Sequence, residues 1–404
     1  MADNKLKVLL VVGDANSVFV ENYAKWLKIK TDCQIDVFQF RDYFNKDVES
    51  EYIDTLDKSA TRIPRYVANR LLYNYIIDYQ RFLLKKFLKD KQYDVIHCHW
   101  LISESVYCTK LLRKHTRCLI GTLWGGEYTK QMIKGSNNAY LVYLKKFVQA
   151  LDYFINPKSD HKIIEKKYHC NALKLRDGNL GAVGLDAMEP LLHVNRSGSK
   201  CFFGLPVDKV IVQIGYSGKE LHRQYDIVEE LVKHPELQNK VHILNPMTRD
   251  SNDAYIKRVD EALNTSGFTY TTIKGPSLTD AEICQLRYAT DVVLQFSEFD
   301  GFSRSIVEAL CAKSVVIYGS WLNYENSLAQ YNYYAISAAT IEDGIKKLSY
   351  VVDHMDEYKD ACEKNSLSGF KANQWKYCID DWIRVYEEGT QKKWYKEGYG
   401  KTIA

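Results

Sequence analysis

The sequence predicts an α/β protein built from two doubly wound, Rossmann-like domains that face each other across a cleft, followed by a C-terminal helical segment. Length is the first observation: 404 residues exceed the usual single domain and fit two of ordinary size. A pattern met twice is the second. Short apolar, β-rich runs alternate with amphipathic stretches, and such alternation builds parallel sheets from βαβ units. The third is the character of those runs, most of them apolar throughout, as in strands covered on both faces.

In chain order the first five strands are expected at 7–13 (KVLLVVG), 34–40 (QIDVFQF), 94–100 (DVIHCHW), 117–125 (RCLIGTLWG) and 153–157 (YFINP). Proline, glycine and polar residues mark 185–200 (LDAMEPLLHVNRSGSK) as a linker. Five more strands follow at 209–215, 240–247, 269–276, 291–296 and 314–320, and the chain after Ala339 reads as helical. The expected domains are 1–190 and 191–375, with 376–404 a terminal helix that has room to return to the first domain.

A hydrophobic share of 46% and a charged share of 26% are those of a soluble globular chain. No apolar run reaches about 18 residues, so no membrane-spanning helix is expected. The opening MADNKLKVLLVVGDANS is not expected to be a signal peptide. Ten cysteines lie scattered without zinc-type spacing, which suits small buried hydrophobes in a reducing, cytoplasmic compartment. A net charge of +4 is too small to argue for nucleic acid, and the 30 tyrosines suit sugar-stacking walls and ordinary packing alike.

Residues 61–91 combine Leu, Ile and Tyr at helical spacing with interleaved Arg and Lys. This is either a surface for anionic lipid or a basic helix pair packed on the first sheet, the commoner case.

Ligands of open parallel sheets bind beyond the carboxyl ends of strands. The first domain carries Gly13, Asp14, Asn16 and Ser17 there, then His97 and His99, then Trp124 and Glu127. His97 and His99 are expected on opposite faces of their strand, one of them buried. The second domain carries Gly215, Ser217, Gly218 and Lys219, and the stretch SEFDGFSRSIVEALCAKSVVIYGS at 297–320. Neither leading strand is followed by G-x-G-x-x-G, and no P-loop or Asp-x-Asp pair occurs, so no nicotinamide, flavin or metal is expected. Phosphate would be held by backbone amides and basic side chains.

In the 297–320 stretch Gly301 is expected to take an unusual backbone shape, and Ser303 or Ser305 to cap the next helix. That helix offers free N–H groups to an anionic diphosphate. Glu308 lies off its apolar face and could accept two ribose hydroxyls. Arg304 and Glu308 could equally form an i,i+4 surface pair worth about 0.2–0.5 kcal/mol. The residues alone leave both readings open.

The run from Asp300-Gly-Phe-Ser to Glu308-Ala-Leu, with seven residues between the carboxylates, resembles the second domain of GT-B glycosyltransferases, especially the retaining group-4 class. DVIHCHW and VVGDANSVFVENYAKWL resemble that family's first domain. Three positions depart from it: Asp300 replaces a Glu, Lys313-Ser314-Val315 replace its Gly and Pro, and Trp124 stands where a histidine is usual. Trp124-Gly-Gly-Glu-Tyr, Gly215-Tyr-Ser-Gly and Asn245-Pro-Met-Thr are similar to an inverting bacterial transferase of 4-acetamido-4,6-dideoxygalactose onto a polyprenyl-diphosphate-linked sugar.

The resemblance implies a metal-independent, retaining transfer from a nucleotide sugar to a saccharide or polyprenyl-linked acceptor, in surface polysaccharide synthesis. Glu308 would hold the ribose; Gly301, Phe302 and Ser303 would meet the diphosphate, with Gly215, Ser217 and Gly218 close by. Lys219 or Arg223 would neutralise the departing nucleotide, and Asp300 would touch the donor sugar. Gly13, Asn16, Ser17, His99, Trp124 and Glu127 would border the acceptor. For inversion, Glu127, Asp14 or His99 is the candidate base. The expected location is cytoplasmic, with a peripheral contact at the inner face of the cell membrane only if residues 61–91 are the lipid-facing surface rather than packed helices. An epimerase of the same fold and a non-catalytic partner subunit are the alternatives.

Overall fold

The computed structural model describes residues 5–13, 18–41, 50–62, 73–101, 103–124, 138–182, 184–248, 252–275 and 278–396. The chain divides into a first unit, Met1–Gly181 with Trp375–Ala404, and a second unit, Ala182–Gln374.

The first unit is a seven-stranded sheet in the order β3-β2-β1-β4-β5-β6-β7. Its strands are β1 (Leu6–Val12), β2 (Cys33–Gln39), β3 (Thr55–Asp57), β4 (Tyr93–His99), β5 (Thr116–Thr122), β6 (Tyr153–Ile155) and β7 (Leu175–Arg176). Every pairing is parallel, and β1 aligns Val8 with Val95 on β4. Side chains alternate across a strand, so each run serves two cores. Leu9, Val11, Ile96 and Cys98 pack under α2 (Tyr73–Leu88), α3 (Ser103–Tyr107), α4 (Thr109–Arg113), α5 (Asn138–Ala150) and α6 (His161–Tyr168). Leu6, Val8, Leu10 and Val95 pack under α1 (Val18–Lys30) and the C-terminal helix described below.

Residues 185–200 are not a linker. They form α7 (Leu185–Met188), a 3-10 turn and α8 (Arg196–Phe202) inside the second unit. Leu185 and Met188 are wholly buried against Cys284, Val307 and Cys311. The polar residues have internal work instead: Arg196 and Lys200 reach the two oxygens of buried Asp291, at 3.0 and 2.7 Å.

The second sheet has six strands in the order β10-β9-β8-β11-β12-β13. They are β8 (Val210–Ile214), β9 (Val241–Thr248), β10 (Thr269–Gly275), β11 (Val292–Gln295), β12 (Val315–Gly319) and β13 (Ile336–Ala338). One face carries α9 (Gln224–Leu231), α10 (Asp253–Thr265) and, after the other helices, α14 (Ile341–Asp353). The opposite face carries α11 (Asp280–Ala289), α12 (Arg304–Cys311) and α13 (Glu325–Tyr331). A further helix, α15 (Lys359–Asn373), leads out of the unit.

The chain then returns to the first unit as α16 (Trp375–Thr390). Trp375, Trp382 and Tyr386 of α16 are essentially inaccessible and complete the core on the α1 side. The ring of Trp375 fills the space where Gly181 has no side chain. Trp382 Nε1 donates to Asn179 O at 3.1 Å, and Lys30 Nζ meets Asp380 at 2.7 Å.

Candidate functional site

In the second sheet the chain winds outward from β8 through β9 to β10, then restarts beside β8 at β11 and winds the other way. The loops leaving β8 and β11 therefore diverge, which is where open α/β sheets place ligands. Loop one runs over 215–223 and loop two over 296–303.

Gly215 opens the first loop at φ +63, and a Cβ there would lie 2.8 Å from Gln224 Nε2 and 3.0 Å from His222 Cβ. Only glycine fits. Gln224 fixes the turn by donating to Ser217 O at 2.6 Å, and Gln213 does the same to Gly215 O at 2.7 Å. Ser217 and Gly218 are buried, and Lys219 is exposed. Arg223, in the left-handed conformation at φ 58, turns its Nε to Asp226 at 2.8 Å, so its charge is already partnered. His222 is buried with Nδ1 2.8 Å from Ser297 Oγ. Burial, and secondarily the charge of Lys219, lowers its pKa to about 4.

Asp300 joins the two loops. Tyr216 donates to Oδ1 at 3.0 Å, while Tyr324 and the Ser303 amide, the latter at 2.9 Å, donate to Oδ2. Burial first, and then the Asp300 charge, raises both tyrosine pKa values, so both hydroxyls stay protonated and donate. Asp300 thus caps α12, a task expected of Ser303 or Ser305. Ser303 occupies the N-cap position without a side-chain cap bond, and its buried hydroxyl has no hydrogen bond among the described residues. Nor does Gly301 take the unusual backbone: it is exposed, and Phe302 holds φ 61. A bulky residue in that region is strained, and its ring is held 5.0 Å from Tyr324.

Glu308 does not pair with Arg304, whose guanidinium reaches Asn373 Oδ1 at 3.2 Å. Its partner is Arg287 on α11, Nε to Oε2 at 3.2 Å, with both residues buried. Arg287 also donates to Gln213 Oε1 at 3.1 Å. Glu308, Arg287, Gln213 and Gly215 O therefore form one chain from α12 to the first loop. Spacing rules along one helix could not find Arg287, which lies 21 residues upstream of Glu308 on another element.

In the first sheet the winding reverses between β1 and β4. Gly13 follows β1 and accepts from the Arg41 amide at 2.8 Å. Asp14, Asn16, Ser17 and Glu127 lie outside the described residues. His97 and His99 are not on opposite faces. Residues two apart share a face, and their rings lie 3.9 Å apart, both buried. His97 is bonded on both nitrogens, to Tyr386 Oη at 2.7 Å and Thr122 Oγ1 at 2.9 Å. His99 stacks on Trp382 at 5.8 Å, and its buried Nε2 has no hydrogen bond among the described residues. Burial lowers its pKa to about 3, so it is neutral and a weak base near pH 7. Trp124 stacks flat on Trp100 at 5.9 Å. Among the described residues no group of three or more His, Cys, Asp or Glu is placed to hold a metal ion.

Residues 7–156 match the family model described as Glycosyl transferase 4-like. No curated protein matches the chain. Among solved structures, a glycosyltransferase from Rickettsia africae ESF-5 is similar at TM-score 0.71 and 16% identity, over 96% of this chain and 100% of that one. Anabaena HepE in complex with UDP and glucose aligns at TM-score 0.65 and 13% identity, over 95% and 100%. WaaG, a glycosyltransferase involved in lipopolysaccharide biosynthesis, aligns at 0.65 and 11%, over 95% and 100%. At these identities the likeness establishes the fold, GT-B, as the sequence resemblance implied.

Proposed function

We propose that this chain, a glycosyltransferase of the GT-B fold with a glycosyl transferase 4-like domain in its first unit, moves a sugar from a nucleotide-sugar donor held by the second unit. The observation that carries this reading is the Glu308–Arg287–Gln213 chain ending at the Gly215 carbonyl, directly behind the switch-point loops. Arg287 fixes Oε2 of Glu308, leaving Oε1 to accept ribose hydroxyls. The buried Ser217–Gly218 turn and the amides opening α12 receive the diphosphate. Lys219 meets the charge that develops on the departing nucleotide, so no metal is invoked.

Both oxygens of Asp300 are committed to Tyr216, Tyr324 and the Ser303 amide. It acts on the donor sugar by holding those two loops at a set spacing. We take the transfer to be retaining, in which the donor phosphate takes the acceptor proton and no protein base is needed; buried His99 is a weak base, and the other candidate bases, Asp14 and Glu127, lie outside the described residues. The acceptor is a saccharide or lipid-linked glycan bound by the first unit, and surface polysaccharide synthesis is the setting in which such acceptors arise.

Calorimetry with a panel of UDP-, GDP- and dTDP-sugars tests the donor assignment. One class should bind, and Glu308→Gln, which keeps an acceptor for Arg287, should weaken it more than tenfold because a ribose contact to a charged group is worth over about 1.4 kcal/mol. Equal binding by both proteins would remove Glu308 from the donor site. The anomeric configuration of the product, read by NMR, then decides retention.

A further inference from the structure

His222 sits where the two switch-point loops meet: beside it the Glu298 amide of the second loop donates to Leu221 O of the first at 2.9 Å. Its ring packs edge-on against Tyr216 at 4.1 Å. The Nδ1 contact to Ser297 Oγ is the first link of a longer chain. Ser297 Oγ donates to Gln295 Oε1 at 3.4 Å, Gln295 Nε2 donates to Tyr324 Oη at 3.2 Å, and Tyr324 donates to Asp300 Oδ2.

This chain runs one way, because the carboxylate at its end accepts and does not donate. Tyr324 spends its proton on Asp300, so its oxygen receives from the Gln295 amide. The Gln295 oxygen in turn receives from Ser297, and the Ser297 oxygen is left to receive from His222 Nδ1–H. The proton of the neutral ring is therefore fixed on Nδ1, and Nε2 keeps a lone pair. That nitrogen has no hydrogen bond among the described residues. Burial, and secondarily the Lys219 charge, keep the ring neutral in the unliganded protein.

We infer that His222 is a further donor-binding residue, whose Nε2 takes up a proton as the nucleotide sugar binds and donates it in a hydrogen bond to the diphosphate. This rests on the donor assignment above. A lone pair facing a phosphate oxygen is repulsive, whereas an imidazolium N–H makes a charge-assisted bond. The proton comes from solvent, and no bond of the donor breaks in this step. Arg223 and Arg287 are held by Asp226 and Glu308, so a second positive charge beside Lys219 offsets a doubly charged diphosphate. Tyr216 and Tyr324, the other titratable neighbours on the ring and its chain, already carry their protons. Asp300 lies at the far end.

Calorimetry of UDP-glucose, GDP-mannose and dTDP-glucose in buffers of different ionisation heat tests it. The tightest of the three should take up about half a proton or more near pH 6.5, and its affinity should rise about threefold per unit as pH falls from about 7.5 to about 6. Ser297→Ala breaks the chain and lets the neutral ring carry its proton on Nε2. It should bind within about threefold of the parent with almost no uptake, whereas His222→Gln should bind about tenfold more weakly, also without uptake. The proton count of the parent needs no variant, so it stands even where a variant folds poorly. Binding with no proton exchanged, or uptake that persists in either variant, overturns the inference and leaves the donor assignment intact. Failure of all three sugars to bind overturns both.

Discussion

Removing the Glu308 carboxylate strands the Arg287 guanidinium in a buried site without its counter-charge. Glu308→Ala should therefore destabilise the second unit by about 3–5 kcal/mol in urea unfolding, and Glu308→Gln by only about 1–2 kcal/mol. Near-equal losses would mean that the pair is solvated. Tyr324→Phe removes one hydroxyl donor to Asp300 while leaving its ring beside Phe302. It should lower donor affinity severalfold and cost about 1–3 kcal/mol of stability, because Tyr216 and the Ser303 amide still hold Asp300 but the buried Gln295 amide loses its acceptor, the Tyr324 hydroxyl at 3.2 Å. An unchanged dissociation constant would leave Asp300 as a helix cap only. Both cases show why residue roles were half legible. Asp300 and Glu308 stand out in the sequence by spacing, but their partners come from the loop after β8, from α11 and from the segment before α13, which spacing along one helix cannot reach.

Among the elements, apolar runs predicted the central strands well because a strand buried on both faces needs apolar residues at nearly every position. The short edges β3 (TLD), β7 (LR) and β13 (ISA) were missed, since they are half exposed and lack the apolar run that still marks three-residue β6 (YFI). Residues 185–200 were misread because their polar side chains look solvated, whereas Arg196 and Lys200 neutralise Asp291 inside the unit. Turn geometry was misplaced by one residue, from Gly301 to Phe302. At Gly215 the positive φ does coincide with a glycine, and Gly215→Ala should cost about 1–2 kcal/mol in a left-handed backbone and more from contact with Gln224. A falling melting temperature together with weaker nucleotide binding is the expected result; a loss of neither would show that the loop adapts.

At the scale of the whole chain, the second unit is an insertion with its ends tied together: Ala182 N donates to Asn373 O at 2.8 Å. Residues 182–374 expressed alone should unfold cooperatively, whereas 1–181 alone should not, because Trp375, Trp382 and Tyr386 complete its core. A cooperative melt for 1–181 would contradict that dependence. Acid should weaken the isolated second unit in a defined window. His222 and His242 have folded pKa values near 4, below the unfolded value of 6.5, with burial the larger cause for each. Between those limits the unfolded chain binds more protons, so stability present above pH 6.5 is lost as pH falls to 4. His222 alone supplies a slope of up to about 1.4 kcal/mol per pH unit, and His222→Gln should flatten the curve. By itself the sequence determined the class of fold, two parallel sheets with helices on both faces, since the order and spacing of apolar runs is a local, one-dimensional signal. It also marked the strand-end loops to which we assign the donor site. Only the tertiary structure decided that α16 belongs to the first unit, that Glu308 answers to Arg287, and that Tyr75, Tyr79 and Phe82 of α2 are exposed, because burial and ion pairing depend on neighbours far apart in the chain.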